Sequence, residues 1–457
     1  MKNNFVEIFE AYENYIVFLF LSLIVLVTAA MNANFNAEIE SCSGWQLGRV
    51  YAGTGCTAGL NGEAYHVEGT ANLRNLQFFA GGPQDFSLGY EIATNRLLFP
   101  YLGSFLTLFT DTILDAVKSL NVICWIIASI TAYHLARLLS KSLMVAVFAG
   151  IFVACGIGFA ATWMGVKAHL ISYTYFIVAI YLLERMKVFN EEFFWQKAIS
   201  AGLLIGLGAF ANGLILPLLI YIGLRLISRF RVRRFSLIAL ISALPLLSIK
   251  LGLLLFGVSV GDRTDTVLFS TLASHLVMIW DHLFYGSSEP VLFIHTTVTD
   301  PWQPFYWIKE YMFNMPLMFG VSGFLFAAVG LLPPWGRIHV IAVPTILAVS
   351  ISIVGVQTYW PYWTFQGYTA YYVYVGFSLI VALGVTRIIG LFSKTIEIYQ
   401  GECSQFIRNM MFVCISVFWF SLVSHHVVTH HYLSFFTFYN SYSLDFPNNW
   451  DFRKMNW

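Results

Sequence analysis

Residues 15–31 read YIVFLFLSLIVLVTAAM, a run without a single charged side chain. A helix crossing the hydrocarbon core of a bilayer needs about 20 predominantly apolar residues, and this run with its flanks supplies them. The fourteen residues before it carry one Lys and three Glu. A secretory leader would have a basic start and a small-residue cleavage site. The acidic start and long apolar run favour a retained membrane anchor, with Ala29-Ala30 as the alternative cleavage point. Further apolar runs follow at Asp115–Leu138, Leu143–Trp163, Leu170–Leu183, Ala198–Ile227, Phe235–Val258, Trp307–Leu332, Ile338–Val356, Ala370–Leu391 and Met410–Val428.

The composition agrees with this pattern. Of 457 residues, 58% are apolar and 11% charged, where a soluble globular chain carries roughly 25% charged residues. The mean hydropathy is +0.70. These values exclude a soluble enzyme, a disordered chain and a nucleic-acid binder. The net charge of +1 leaves no global field to recruit polyanions, so no nucleic-acid partner is expected. Aromatic residues at 17% suit a chain with long membrane–water boundaries. The fold class read from the sequence is all-α, a polytopic membrane protein forming one membrane domain over residues 1–457.

The number of crossings turns on Ala198–Ile227, too long for one ordinary span and interrupted at Phe210-Ala211-Asn212-Gly213. Basic residues concentrate in cytoplasmic loops, and here they cluster at Arg137 with Lys141, Arg185 with Lys187, Arg225 to Arg234, Arg337, and Arg387 with Lys394 and Arg408. A single crossing puts the Arg185 loop and the five-Arg run on opposite faces. A hairpin of two short helices tipped at Asn212-Gly213 puts every basic cluster on one side. The hairpin is therefore expected, giving about eleven helices with the N-terminus cytoplasmic and the C-terminus external, in the plasma (inner) membrane of a cell envelope. One tilted, kinked helix is the alternative.

Four segments then fall outside. Residues 32–97 form a long first external loop, 165–169 a short link, 259–306 a second large external loop, and 357–368 an aromatic link. Residues 431–457 form an external tail. Loops longer than about 15 residues are usually functional or disordered. These hold too many aromatics for disorder and are expected to cap a site. Several of their residues carry usable chemistry. A carboxylate near the membrane surface can accept a proton or bind a metal, and the first loop offers Glu38, Glu40, Asp85 and Glu91. An arginine at that level can hold a lipid phosphate at two points. Arg96, directly before Leu97-Leu98-Phe99-Pro100, is the leading phosphate contact, joined by Lys167, His169 and Arg263, with Lys309 similar.

Other clusters are plainer. His426 and His430 lie four residues apart, on one helical face as zinc ligands require, but no third ligand stands nearby and interfacial packing is the expected role. Metal binding is otherwise left open, with no cofactor required. Cys42 and Cys56, both external, offer a disulfide in an oxidising compartment. Cys124, Cys155 and Cys414 read as small packing residues within spans. Lys250 and His134 are the main ionisable groups inside spans.

One N-terminal helix, a long acid-bearing external loop and then Asn95-Arg96-Leu97-Leu98-Phe99-Pro100-Tyr101-Leu102 together resemble the GT-C type of integral membrane glycosyltransferases. The resemblance covers about the first 230 residues. It implies a polyprenyl-phosphate-linked sugar donor, a glycan or lipid acceptor, and chemistry at the external face of the membrane. It also implies a catalytic carboxylate early in the first external loop, where Glu38 and Glu40 stand, with Asp85 and Glu91 in reserve. The competing expectations are a transporter or flippase for a lipid-linked glycan, and a non-catalytic membrane subunit.

Overall fold

In a computed structural model the described residues are 2–32, 76, 79–80, 97–163, 169–190, 195–211, 215–227, 231–255, 265–286, 289, 291–293, 296–298, 302, 319–357, 373–400 and 405–426. Helix α1 (Lys2–Met31) is followed by α2 (Leu98–Leu106), α3 (Ile113–Ser140), α4 (Leu143–Ala154), α5 (Ile157–Thr162) and α6 (His169–Arg185). Then come α7 (Trp195–Leu207), a 3-10 turn at Gly208–Ala211, α8 (Ile215–Ile227), α9 (Val232–Leu255) and α10 (Asp265–Tyr285). A short antiparallel pair, β1 (Val291–Phe293) and β2 (Thr296–Val298), precedes α11 (Val321–Leu331), α12 (Arg337–Gln357), α13 (Tyr374–Gln400) and α14 (Gln405–His426). The described residues are thus helical apart from one small hairpin.

Among the described residues, five stretches are long and apolar enough to cross a bilayer: Tyr12–Met31, Asp115–Ser140, Leu143–Ala160, Tyr374–Phe392 and Asn409–His426. Shorter apolar helices occupy Leu216–Leu226, Val321–Leu331 and Arg337–Ser352. The helices show the sorting expected of lipid-exposed spans. Helix α1 buries Val17, Leu21, Ile24 and Val25 while exposing Leu19, Leu23, Leu26 and Val27, so both of its faces are apolar. In water such an outer face would be unfavourable; in a bilayer it meets acyl chains. The chain is a polytopic helical membrane protein.

The stretch 198–227 breaks into two helices, as its Asn-Gly interruption suggests, and neighbouring packing reveals the path. A Cβ at Gly202 would meet Ile241, and one at Gly206 would meet Pro245 and the Ser242 carbonyl. Numbers rise together along both helices, so α7 and α9 run parallel. The chain must therefore return between them along α8. The expected single run at Leu143–Trp163 is instead divided into α4 and α5 at Cys155-Gly156, where a Cβ at Gly156 would lie 2.9 Å from the Val153 carbonyl oxygen. The segment 259–306, expected as a loop, carries the 21-residue helix α10 as well as the hairpin.

Elsewhere the helices are bound by close backbone contact and polar clamps. Gly330 of α11 faces the Ile380 carbonyl of α13, and Gly384 of α13 faces the Phe326 carbonyl of α11. This antiparallel pair is built on missing side chains, the usual device where lipid removes any hydrophobic drive between helices. Helix α3 runs antiparallel to α4, with the Trp125 Nε1 donating to the Val153 carbonyl at 2.8 Å and Gly150 seated against the Ser129 carbonyl.

The basic clusters do gather at one end. The Glu13 carboxylate on α1 accepts from Tyr133 and pairs with Arg137 on α3 at 3.2 Å. Glu184 at the end of α6 pairs with Arg225 of α8 at 3.1 Å and accepts from the Tyr221 hydroxyl at 2.6 Å. Arg225 also donates to the Val340 carbonyl of α12, and its guanidinium lies 4.5 Å from the Phe189 ring centroid. Arg231 and Arg234 donate to the Phe189 and Asn190 carbonyls. These contacts tie the ends of α6, α8 and α12 together, as the hairpin reading requires.

Arg387 completes this end. Its guanidinium donates to the Val329, Gly330, Leu332 and Pro334 carbonyls, satisfying the C-terminus of α11. His339 adds a second tie, accepting from the Gly336 N–H at Nδ1 and thus donating from Nε2 to the Gly330 carbonyl at 2.9 Å. Hydrogen bonds from a charged donor contribute roughly 1.5–3 kcal/mol each, and unpaired carbonyls add a cost. Arg387→Ala should therefore lower the detergent-unfolding free energy by about 2–3 kcal/mol, whereas Arg337→Ala, on the exposed first turn of α12, should leave it nearly unchanged.

Candidate functional site opposite the basic end

Helix α1 sets the position of the opposite end. Glu13 is at the basic end, and at 1.5 Å per residue Asn32 lies roughly 28 Å further along the axis. There the Thr28 hydroxyl bonds the Ile24 carbonyl, and the Asn32 amide bonds the Thr28 carbonyl at 2.8 Å. Both side chains are buried, so the helix end is packed into protein rather than fraying into water. Residues 33–75, with Glu38 and Glu40, begin directly after this cap.

The far flank of that loop is anchored at the same end. Leu97 precedes α2, whose Phe99 is fully buried and whose Gly103 sits against Leu76 and Leu120 of α3. A short turn then leads to Thr112, which caps α3 by accepting from the Asp115 N–H at 3.1 Å while its hydroxyl bonds the Asp115 carboxylate. Arg96 adjoins the first described residue of this element. Glu38, Glu40, Asp85, Glu91, Arg96, Lys167 and Arg263 all lie outside the described residues, as do Cys42, Cys56, Lys309 and His430. For His169 only its place is described, as the first residue of α6; for Lys250, only its helical backbone in α9.

Beneath these flanks is a floor of aromatic rings. Phe159 of α5 contacts Tyr173 of α6 at 4.8 Å, and it stacks on Trp125 of α3 at 5.6 Å. Tyr374, opening α13, packs 4.7 Å from Phe319 and 6.0 Å from Phe159. Phe152 and Phe377 continue the layer. Three polar groups interrupt it. The Asn121 amide donates to the Trp163 carbonyl at 2.8 Å, closing the end of α5. Among the described residues the Trp163 Nε1 and the Tyr173 hydroxyl are buried donors without a hydrogen-bond partner. Burying such groups unpaired costs free energy.

The sequence reading used Trp163 only as a landmark and passed over Asn121 and Tyr173. The available signal was a polar residue inside an apolar run, Ser119-Leu120-Asn121-Val122, and it is weak because such residues often serve helix contacts. The histidine cluster divides. His425 is half-buried and His426 exposed at the last turn of α14, and among the described residues no group of three His, Cys, Asp or Glu is placed to hold a metal. Cys155 approaches Ser421 of α14 at 3.4 Å, and Cys124 is buried in α3, so both pack as expected; Cys414 is exposed on α14.

This end therefore supplies an apolar floor between packed flanks, with Asp111, Asp115 and Lys118 as ionisable residues at the start of α3.

No protein-family model matches the chain, and no curated protein does. Solved structures do show a likeness. ArnT from Cupriavidus metallidurans bound to undecaprenyl phosphate aligns at 12% identity and a TM-score of 0.49, over 82% of this chain and 74% of that one. The archaeal oligosaccharyltransferase AglB from Archaeoglobus fulgidus, in complex with an inhibitory peptide and a dolichol-phosphate, aligns at 12% identity and 0.44, over 92% and 56%. The Archaeoglobus fulgidus oligosaccharyltransferase tethered to an acceptor peptide aligns at 12% and 0.42, over 92% and 55%. The chain thus spans a little over half the length of the two oligosaccharyltransferases. A likeness this distant passes no residue role to this chain.

Proposed function

We propose that the chain is a membrane glycosyltransferase, moving a sugar from a polyprenyl-phosphate donor to a glycan or lipid acceptor at the external face. The observation that supports this most is the anchoring of both flanks of residues 33–96 at the end opposite the basic clusters. Arg96 follows the loop into a packed helix, one residue from Leu97. Glu38 and Glu40 come six and eight residues after a buried cap, a reach of at most about 20–30 Å even fully extended. The acids and the guanidinium thus stand, by count of residues, close along the chain to the two anchored flanks.

The chemistry divides naturally between them. Glu38 or Glu40 takes the proton from the acceptor hydroxyl as its oxygen attacks the anomeric carbon; Asp85 and Glu91 are the alternatives. The bond from that carbon to the donor phosphate breaks, and negative charge collects on the departing polyprenyl phosphate. Arg96, with Lys167, His169 and Arg263 as further contacts, stabilises that charge. Such preorganised stabilisation is usually the largest single contribution to catalysis. A divalent metal, if used, would be held by the same carboxylates.

Arg96→Ala should lower sugar transfer by at least about 100-fold, the loss typical of removing one charge-stabilising donor. Arg96→Lys should recover only part of it, since an ammonium cannot make two parallel bonds to phosphate. The assay is transfer of labelled sugar from a synthetic polyprenyl-phosphate donor in proteoliposomes. Undiminished turnover in Arg96→Ala would remove the phosphate contact from the scheme.

A further inference from the structure

Helix α10 (Asp265–Tyr285) sorts its side chains the wrong way round for water. His275 and Met278 are buried, and Asp281 and His282 on the same side are half-buried. The opposite side exposes Leu276 by 57%, Val277 by 57%, Trp280 by 58%, Leu283 by 62% and Phe284 by 63%. Trp280 and Phe284 pack on each other at 4.1 Å, joining the outer residues into one continuous patch. A helix lying on a protein in water turns its apolar stripe inward and its charged residues out. Over 275–284 the ionisable groups turn to the protein and the apolar ones face away, which is the arrangement of a helix in hydrocarbon. Helix α9 likewise exposes Leu240, Leu244, Leu247 and Leu251 along one side.

We infer that α10 is immersed in the bilayer, with Leu276, Val277, Trp280, Leu283 and Phe284 covered by lipid acyl chains. Its His275, Asp281 and His282 are turned to the protein. The occupant is lipid rather than a second protein because the exposed side is as apolar as the outer face of the membrane-crossing α1 (Leu19, Leu23, Leu26, Val27), while His275, Asp281 and His282 lie on the other side. The segment read from the sequence as an external loop thereby adds a helix to the membrane domain. This inference does not depend on the proposed transferase activity.

The test places a photoreactive benzoylphenylalanine at Val277, Trp280 or Phe284, and at Asp281 as the inward control. The full-length chain is irradiated in cell membranes and again in phosphatidylethanolamine–phosphatidylglycerol proteoliposomes. These outer positions already project from the surface, so folding is retained and is checked by gel filtration. Phospholipid adducts at the three outer positions, and few at 281, are the expected result. Protein–protein adducts at the outer positions would overturn the inference in favour of a partner subunit or second copy. A Leu283→Cys variant separates the remaining case. Protection from a membrane-impermeant maleimide agrees with immersion, and rapid labelling would overturn it.

Discussion

Gly384→Ala should disrupt the α11–α13 pair more severely than any other single methyl group added to the described glycines. The new Cβ would press on the Phe326 carbonyl oxygen, deep inside contact distance, with the Phe326 carbonyl carbon at 2.8 Å and the Gly330 nitrogen at 3.0 Å. All three atoms are backbone, so no side chain can swing away. The helices must separate, and Gly330, seated on the Ile380 carbonyl from the other side, would lose its contact too. Overpacking of this kind costs about 1–3 kcal/mol and sometimes more; the backbone character of the clash places this case at or above the upper limit. Gly390→Ala on the same helix is the matched control. No atom lies within 4 Å of its Cβ position, so replacing a flexible residue in a helix should stabilise by about 0.5–1 kcal/mol. Unfolding titrations in mixed detergent micelles read both changes. Equal effects from the two substitutions would show that the glycine contact does not hold the helices.

Glu184→Ala should destabilise the protein by about 3–5 kcal/mol, the cost of leaving a buried charge without its partner. The Arg225 and Glu184 side chains are only 9% and 11% exposed. Arg225 would keep its bond to the Val340 carbonyl and its place beside the Phe189 ring, but neither neutralises its charge. The Tyr221 hydroxyl would lose its acceptor as well. Glu184→Gln should cost less, because an amide oxygen still accepts from Tyr221. The double replacement Glu184→Ala with Arg225→Met should recover much of the loss, since the stranded charge is then gone. If the single and double variants are equally unstable, the cost arises from packing and not from charge. The ends of α6, α8 and α12 should loosen together in Glu184→Ala, seen as faster amide exchange confined to those turns.

The sequence was most informative where one physical rule acts alone. Long uncharged runs have no stable alternative to membrane helices, because lipid satisfies no backbone hydrogen bond. That rule located both ends of α3, α6 and α9 to within about three residues, whereas α1 begins at Lys2, well before the apolar run, and α13 continues to Gln400, well past it. The charge asymmetry rule located the break in 198–227, and the parallel course of α7 and α9 agrees with it. The division at Cys155-Gly156 was less visible, since the run is apolar throughout and the crowding of Gly156 by the Phe159 ring and the Val153 carbonyl exists only in the folded chain. The candidate catalytic and phosphate-binding residues rest on the sequence resemblance, and the structure contributes only the positions of their flanks.

Sequence alone therefore determined that this chain is a many-helix membrane protein and where its basic residues collect, because hydropathy and charge act on each segment independently. Tertiary structure decided which glycines are seams, which arginine is buried with which carboxylate, and which face of α10 points outward. Those properties depend on neighbours distant in the chain. An apolar residue reads the same in sequence whether it meets another helix or lipid, and only packing separates the two.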